Sequence, residues 1–128
     1  MKVFVYGTLM KGHGNHILLE NDKFLGNAVL EDYGLYNVSS FPGIIKQDGA
    51  AVNGEVYSIS ESTLKRLDTL ESEGSLYIRN LVPVTLESDN EKINAYVYVW
   101  NRDVNLNSYV PFEKLPWKPC LKKFSYML

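Results

Sequence analysis

Two strand-patterned segments restrict the fold more than any other feature of the chain. Tyr77–Leu86 (YIRNLVPVTL) and Ile93–Trp100 (INAYVYVW) are separated by Asp89-Asn90, a turn signal. The second segment sets Tyr96, Tyr98 and Trp100 against Ala95, Val97 and Val99, at the two-residue period of a strand. Further strands are expected at Lys2–Tyr6, at Phe24–Leu30 and Gly34–Val38 with a turn between them, and at Ala51–Ile59. The last is interrupted at Gly54, a bulge or a point of close backbone approach. Ser39-Ser40-Phe41-Pro42-Gly43 is turn chemistry. Against these strands stands one well-marked helix, Ser60–Glu71 (SESTLKRLDTLE), with Ser60 as N-cap and Glu61 in the first turn. His16–Asn21 suits a second, short helix. The pattern predicts an α+β domain: a small mixed β-barrel-like sheet with one or two short helices. No repeat or low-complexity tract divides the 128 residues, so 1–128 read as one domain, with a surface-wrapping tail from about 111.

Composition narrows the function classes. Hydrophobic residues make up 45% and charged residues 22%, as in ordinary globular proteins. A net charge of -2 opposes a nucleic-acid partner, which favours a basic surface. No apolar run approaches the roughly 20 residues of a membrane span. The first residues lack a signal peptide's apolar core, and the single Cys120 forms no internal disulfide, so the cytoplasm is the expected location. The sequence assigns no oligomeric state.

The first strand runs into a polar, glycine-containing loop: Tyr6-Gly7-Thr8-Leu9, then Met10-Lys11-Gly12-His13-Gly14. Either this loop only turns the chain, or its backbone N–H groups hold an anion or oxyanion. It is no phosphate-binding P-loop, having no G-x-x-x-x-G-K-[ST], and no dinucleotide fingerprint. His13 and His16 stand at i, i+3 without further ligands in the pattern, so no metal site is assigned. No G-x-S-x-G elbow is present. Lys118, Lys122 and Lys123 flank Cys120, in what reads as a solvated tail.

One carboxylate is out of place. On a wheel of 100° per residue, Leu64, Leu67 and Leu70 span an arc of about 120°. Glu71 falls inside that arc, about 20° from Leu64, while Glu73 projects to the opposite side. Glu71 therefore either snorkels out at the helix end or points into a pocket. In a pocket its pKa would rise, which suits proton transfer near neutral pH.

The loop and the carboxylate match a known family. Phe4-Val5-Tyr6-Gly7-Thr8-Leu9 resembles the YG[ST]L signature of the gamma-glutamylcyclotransferase-like proteins. Lys11-Gly12 and Asn15-His16 are most similar to the gamma-glutamylamine cyclotransferase branch. Gly54-Glu55-Val56-Tyr57, then Leu64, Leu67-Asp68 and Glu71, resemble a second block, and Tyr77 and Arg79 fit its following Y.R. The likeness runs from Lys2 to about Trp100. It implies a small mixed barrel with the loop beside the pocket. It also implies that Tyr6, Gly7, Thr8 and Leu9 bind substrate and that Glu71 is the general acid/base, with no metal and no cofactor. The implied reaction cyclises a gamma-glutamyl amide to 5-oxoproline and releases the amine. The implied partner is that small substrate, with no nucleic acid and no membrane. Tyr77 and Arg79 share one strand face and either line the pocket or only pack. Tyr33, Tyr36 and Phe41-Pro42-Gly43 are either a pocket wall or core. The alternative function is a non-catalytic module that binds a small ligand or a protein through the same cavity. A single-strand nucleic-acid barrel is a further alternative that the charge opposes.

Overall fold

The computed structural model describes residues 1–119. Cys120, Lys122 and Lys123, and the end of the tail, lie outside the described residues. Six strands run in the order β1 Lys2–Val5, β2 Lys23–Asn37, β3 Pro42–Ser58, β4 Tyr77–Leu86, β5 Lys92–Trp100 and β6 Tyr109–Val110. One α-helix, α1 (Glu61–Leu70), follows β3, and a 3₁₀ helix, Gly14–Leu19, follows the first loop. In the sheet the order is β3-β1-β5-β4-β2, and β2 pairs with β3 to close the ring. The pairing of β1 with β5 is parallel, with Val3 opposite Tyr96; the other barrel pairs are antiparallel. β6 is added outside the ring, against the far end of β2. The expected small mixed barrel is what the chain forms.

The strand patterns place the core. Val3, Phe4 and Val5 of β1 are all buried, as expected of a strand with neighbours on both sides. They join Ala28, Val56, Val84 and Val97 in one apolar cluster. α1 contributes Leu64 and Leu67 to the cluster, but Leu70 is 40% exposed. Ser60 caps this helix as expected, its hydroxyl accepting from the Thr63 N–H at 3.1 Å. Among the described residues, no helix is long and apolar enough to cross a membrane.

Four expectations need correction. The strand expected at Ala51–Ile59 is only the later part of β3, which begins at Pro42 and ends at Ser58, so Pro42-Gly43 of the expected turn already pair with β2. Phe24–Leu30 and Gly34–Val38 are not two strands around a turn; all but Val38 belong to β2, which is continuous from Lys23 to Asn37. The turn-like residues between them form a bulge, where the ladder steps from Glu31↔Ala51 to Tyr33↔Lys46. Asp32 adopts φ 64 there, and its carboxylate accepts the Gly49 N–H at 3.0 Å. The segment His16–Asn21 is helical only as the 3₁₀ stretch Gly14–Leu19. The tail is not purely a surface strap: Trp117 is 3% exposed, and its indole N–H donates to Asn37 Oδ1 at 2.7 Å.

Gly54 marks a close approach and not a bulge, for its pairing with Ala28 is in register. A Cβ there would lie 2.4 Å from the Val5 carbonyl oxygen and 2.6 Å from the Phe4 ring. Backbone cannot yield as a flexible side chain can. Gly54→Ala is therefore expected to cost about 1–3 kcal/mol, the usual range for overpacking. Gly14→Ala, at a position with open space around it, should stay within about 0.5 kcal/mol of the parent. Urea unfolding of both variants checks this; equal midpoints would mean that β1 and β3 do not pack as described.

Candidate active site

β1 ends at Val5, and the chain leaves the barrel through Tyr6-Gly7-Thr8-Leu9. These residues line a cavity of about 280 Å³, together with Asn15, Phe41, Pro42, Leu70, Glu71, Leu76, Tyr77 and Tyr98 among others. The cavity thus gathers the loop after β1, the β2–β3 connection, the end of α1 and the start of β4. A second, larger cavity of about 430 Å³ contains none of Tyr6–Leu9, Glu71 or Tyr77. The residues singled out in the sequence therefore converge on the first.

The loop is held by contacts with its own later residues and with β3. The Met10 N–H donates to the Gly7 carbonyl at 3.1 Å, and the Lys11 N–H to Glu55 Oε1 at 3.0 Å. Asn15 grips Thr8 twice, by its own N–H to the Thr8 carbonyl at 3.0 Å and by its side-chain amide to Thr8 Oγ1 at 2.9 Å. His16 Nδ1 lies 2.9 Å from the Leu9 carbonyl. Among the described residues, the N–H groups of Gly7, Thr8 and Leu9 have no intramolecular acceptor. Buried backbone donors normally find partners, so successive free donors beside a cavity form an anion-accepting edge. The two histidines are loop-holding residues. His16 packs against Tyr57, their ring centroids 5.7 Å apart, and His13 against Trp117 at 5.4 Å. Among the described residues, no three His, Cys, Asp or Glu side chains group as metal ligands.

Gly7 has a packing reason of its own. A Cβ on it would lie 2.6 Å from Pro42 Cγ. Pro42 in turn accepts the Tyr77 hydroxyl on its carbonyl at 2.7 Å. Any side chain at Gly7 would push into this wall, so a substitution there disturbs the cavity and its packing together.

Glu71 is the C-cap of α1, with φ -86 and ψ 0, and its N–H donates to the Leu67 carbonyl at 2.9 Å. The wheel places it on the Leu64–Leu67 side, and its presence among the lining residues agrees. Among the described residues no hydrogen bond reaches its carboxyl. Burial without a partner favours the neutral acid, and its pKa is raised from 4.5 to about 7. Glu73 is exposed and turned away; its carboxylate accepts the Arg79 N–H at 3.1 Å.

Two tyrosines complete the inner wall. The Tyr6 hydroxyl donates to the Tyr98 carbonyl at 2.6 Å. Burial raises the Tyr6 pKa well above normal, with the nearby Tyr77 and Glu71 adding to it. Tyr77 is raised likewise, by burial and then by Glu71. Both hydroxyls therefore stay protonated and act as fixed donors. Of the pair Tyr77 and Arg79, only Tyr77 lines the cavity. Arg79 is ion-paired to Asp68, with its guanidinium over the Tyr96 ring. Phe41 and Pro42 are wall residues, whereas Tyr33, Tyr36 and Gly43 are not. Asn15, Leu70, Leu76 and Tyr98 were not anticipated as lining residues. The two leucines were hidden because an exposed leucine near a helix end has no distinguishing sequence signal.

Comparison with known proteins gives the family and the fold. Residues 3–119 match the family described as gamma-glutamyl cyclotransferase, AIG2-like. The gamma-glutamylcyclotransferase family protein YtfP of Escherichia coli is 36% identical over 105 residues, covering 82% of this chain and 87% of that protein. The fold resembles that of an AIG2-like protein, GGACT, from Mus musculus. That match has a TM-score of 0.73 and 25% identity, and it covers 88% of this chain and 85% of the other. An uncharacterized protein from Pyrococcus horikoshii matches with a TM-score of 0.69 and 30% identity, over 87% and 86% of the two chains. The chain is a member of the gamma-glutamylcyclotransferase, AIG2-like family.

Proposed function

We propose that the protein is a gamma-glutamylamine cyclotransferase that converts a gamma-glutamyl amide to 5-oxoproline and the free amine. One observation carries the reading. A buried carboxyl with a pKa near 7 and a run of unpartnered backbone N–H groups line the same small cavity.

The substrate supplies its own nucleophile. Its α-amine attacks the γ-carbonyl carbon; a C–N ring bond forms, and the amide C–N bond breaks. Well-oriented intramolecular attack reaches effective molarities of about 10⁵–10⁸ M, so the protein mainly has to fold the substrate into a reactive conformer. Glu71 takes one proton from the α-ammonium before attack and a second from the ring nitrogen on closure, and it passes both to the leaving nitrogen, which departs as an ammonium, so protons and charge balance. Its pKa suits both halves, because acid and conjugate base are each accessible near neutral pH. The Gly7–Leu9 N–H groups hold the α-carboxylate or the developing oxyanion. The lining also bears on the leaving group. Glu71 is the one charged side chain among the described lining residues, so a carboxylate on the departing amine finds no cation there. That supports an amine over an α-amino acid or a peptide.

A panel of gamma-glutamyl compounds tests the proposal. The gamma-glutamyl derivatives of an alkylamine and of the lysine ε-amine should yield 5-oxoproline. Their kcat/KM should exceed that of gamma-glutamylglycine and glutathione by about tenfold or more, equivalent to about 1.4 kcal/mol. Activity should be unchanged in chelator. A saturable ligand bound without turnover would favour the non-catalytic alternative. Activity lost in chelator and restored by zinc would overturn the metal-free mechanism.

The two glutamates give a second test, with a sign fixed by burial. Glu71→Gln keeps shape but cannot carry the proton, so it should lose on the order of 10²–10⁴ in rate. Glu73→Gln should keep near-normal rate and stability. The folded chain binds the Glu71 proton more tightly than the unfolded chain does. Stability from this group is therefore full below pH 4.5 and lost as pH rises through about 7. Glu71→Gln should exceed the parent in stability at pH 8, by up to about 3 kcal/mol, and converge with it at pH 4. Turnover and denaturant unfolding of both variants at the two pH values check this. An active Glu71→Gln beside a dead, folded Glu73→Gln would reverse the assignment.

A further inference from the structure

We propose that Asp68 is a positioning residue that fixes the Glu71 carboxyl in the cavity by tying the last turn of α1 to β4 and β5. The inference rests on the reading of Glu71 as the acid/base group, and it concerns residues to which that reading gives no part.

The starting point is the bareness of Glu71. A carboxyl that no hydrogen bond holds can be aimed only by its backbone and its packing. That backbone is the C-cap of a ten-residue helix, the part of a helix where orphan carbonyls and loose dihedrals are the rule. Directly after it the chain reverses through Ser72 at φ 49 and Gly74 at φ 89. Left alone, such a helix end would not hold a side chain to the few tenths of an ångström that proton transfer needs.

Asp68 supplies the missing restraint from one turn back. Its Oδ1 accepts the Tyr98 hydroxyl of β5 at 2.7 Å. Its Oδ2 takes the Arg79 guanidinium of β4. Its backbone carbonyl accepts the Glu73 N–H at 2.9 Å, beyond the helix end. The Glu73 carboxylate then accepts the Arg79 N–H at 3.1 Å, closing a loop of contacts around residues 68–73. Two strands are thereby joined to the segment that carries Glu71. Neither Asp68 nor Arg79 lines the cavity, so neither touches substrate. Charged hydrogen bonds of this kind are the stronger ones, and half-buried here they are weakened only in part by water.

The test separates aim from mere stability. Asp68→Ala, Asp68→Asn and Arg79→Gln are compared with the parent in the full chain, with rates normalised to the folded fraction. Asp68→Ala should lower kcat by tenfold or more with KM changed less than threefold. Asp68→Asn keeps an acceptor for the Tyr98 hydroxyl and should recover part of the loss. The Glu71 side-chain carboxyl is titrated alongside by carbon NMR, which needs no turnover. Released from the cavity toward water, it should titrate at least one pH unit lower in Asp68→Ala than in the parent, and the acid limb of the kcat profile should move with it. If Asp68→Ala does not fold, Asp68→Asn and Arg79→Gln must show the same shifts in smaller measure. A normal kcat per folded molecule together with an unmoved Glu71 titration would overturn the proposal. A moved titration in a protein that forms no 5-oxoproline would leave the positioning role standing and overturn the proposed reaction instead.

Discussion

The antiparallel pairing of β2 with β3 is the contact on which the rest of the structure depends. It closes five strands into a ring and removes the open edges that a sheet otherwise exposes. A ring this small is filled by its own side chains, and the closeness of Phe4 and Val5 to Gly54 shows how little space remains. Closure also decides where the loop emerges. β1 has four residues, while β3 and β5 on either side run past its end. The chain that leaves Val5 has nothing further to pair with in the ring. Its N–H groups come free at the barrel mouth because one strand stops while its neighbours continue.

The same closure sets the energetics of Glu71. The end of α1 is laid across the mouth, and the walls from the β2–β3 connection and from β4 keep water from most of the carboxyl. Desolvation alone accounts for its raised pKa, with no neighbouring charge among the causes. This is a different device from a carboxylate pair, in which one acid forces the other to hold its proton. Here the tyrosines around the carboxyl are themselves too deeply buried to ionise, so they shape the cavity without competing for the proton.

Much of this was legible in the sequence, where local pattern and tertiary demand agree. β4 has the bounds that its residue pattern predicts, and β5 begins one residue earlier. Ser60 and the leucine spacing set α1, and Gly54 marked either a bulge or a close approach, of which the structure has the second. The wheel put Glu71 on the inner side although Leu70, assigned to the same arc, is the more exposed of the two. What was not legible depends on partners distant in sequence. Asp32 reads as a turn residue and serves in a bulge, where the Gly49 N–H donates to its carboxylate. Arg79 shares a strand face with Tyr77, yet Asp68 draws it away from the cavity. Trp117 is core because Asn37, eighty positions earlier, accepts its indole N–H. Periodicity cannot report contacts of that kind.

The one carboxyl among the described lining residues has a further consequence for the order of events. Under the proposed reaction, the incoming glutamyl group carries an ammonium that Glu71 attracts and a carboxylate that the loop amides hold. Ring closure turns the ammonium nitrogen into a neutral lactam nitrogen. The product keeps its negative charge and has lost the positive one. Once the amine has left with the positive charge, the carboxyl that drew the substrate in faces a like charge, and the described lining residues offer no cation to offset it. Chemistry would convert an electrostatic lure into a repellent, and the cavity would empty itself without a moving lid.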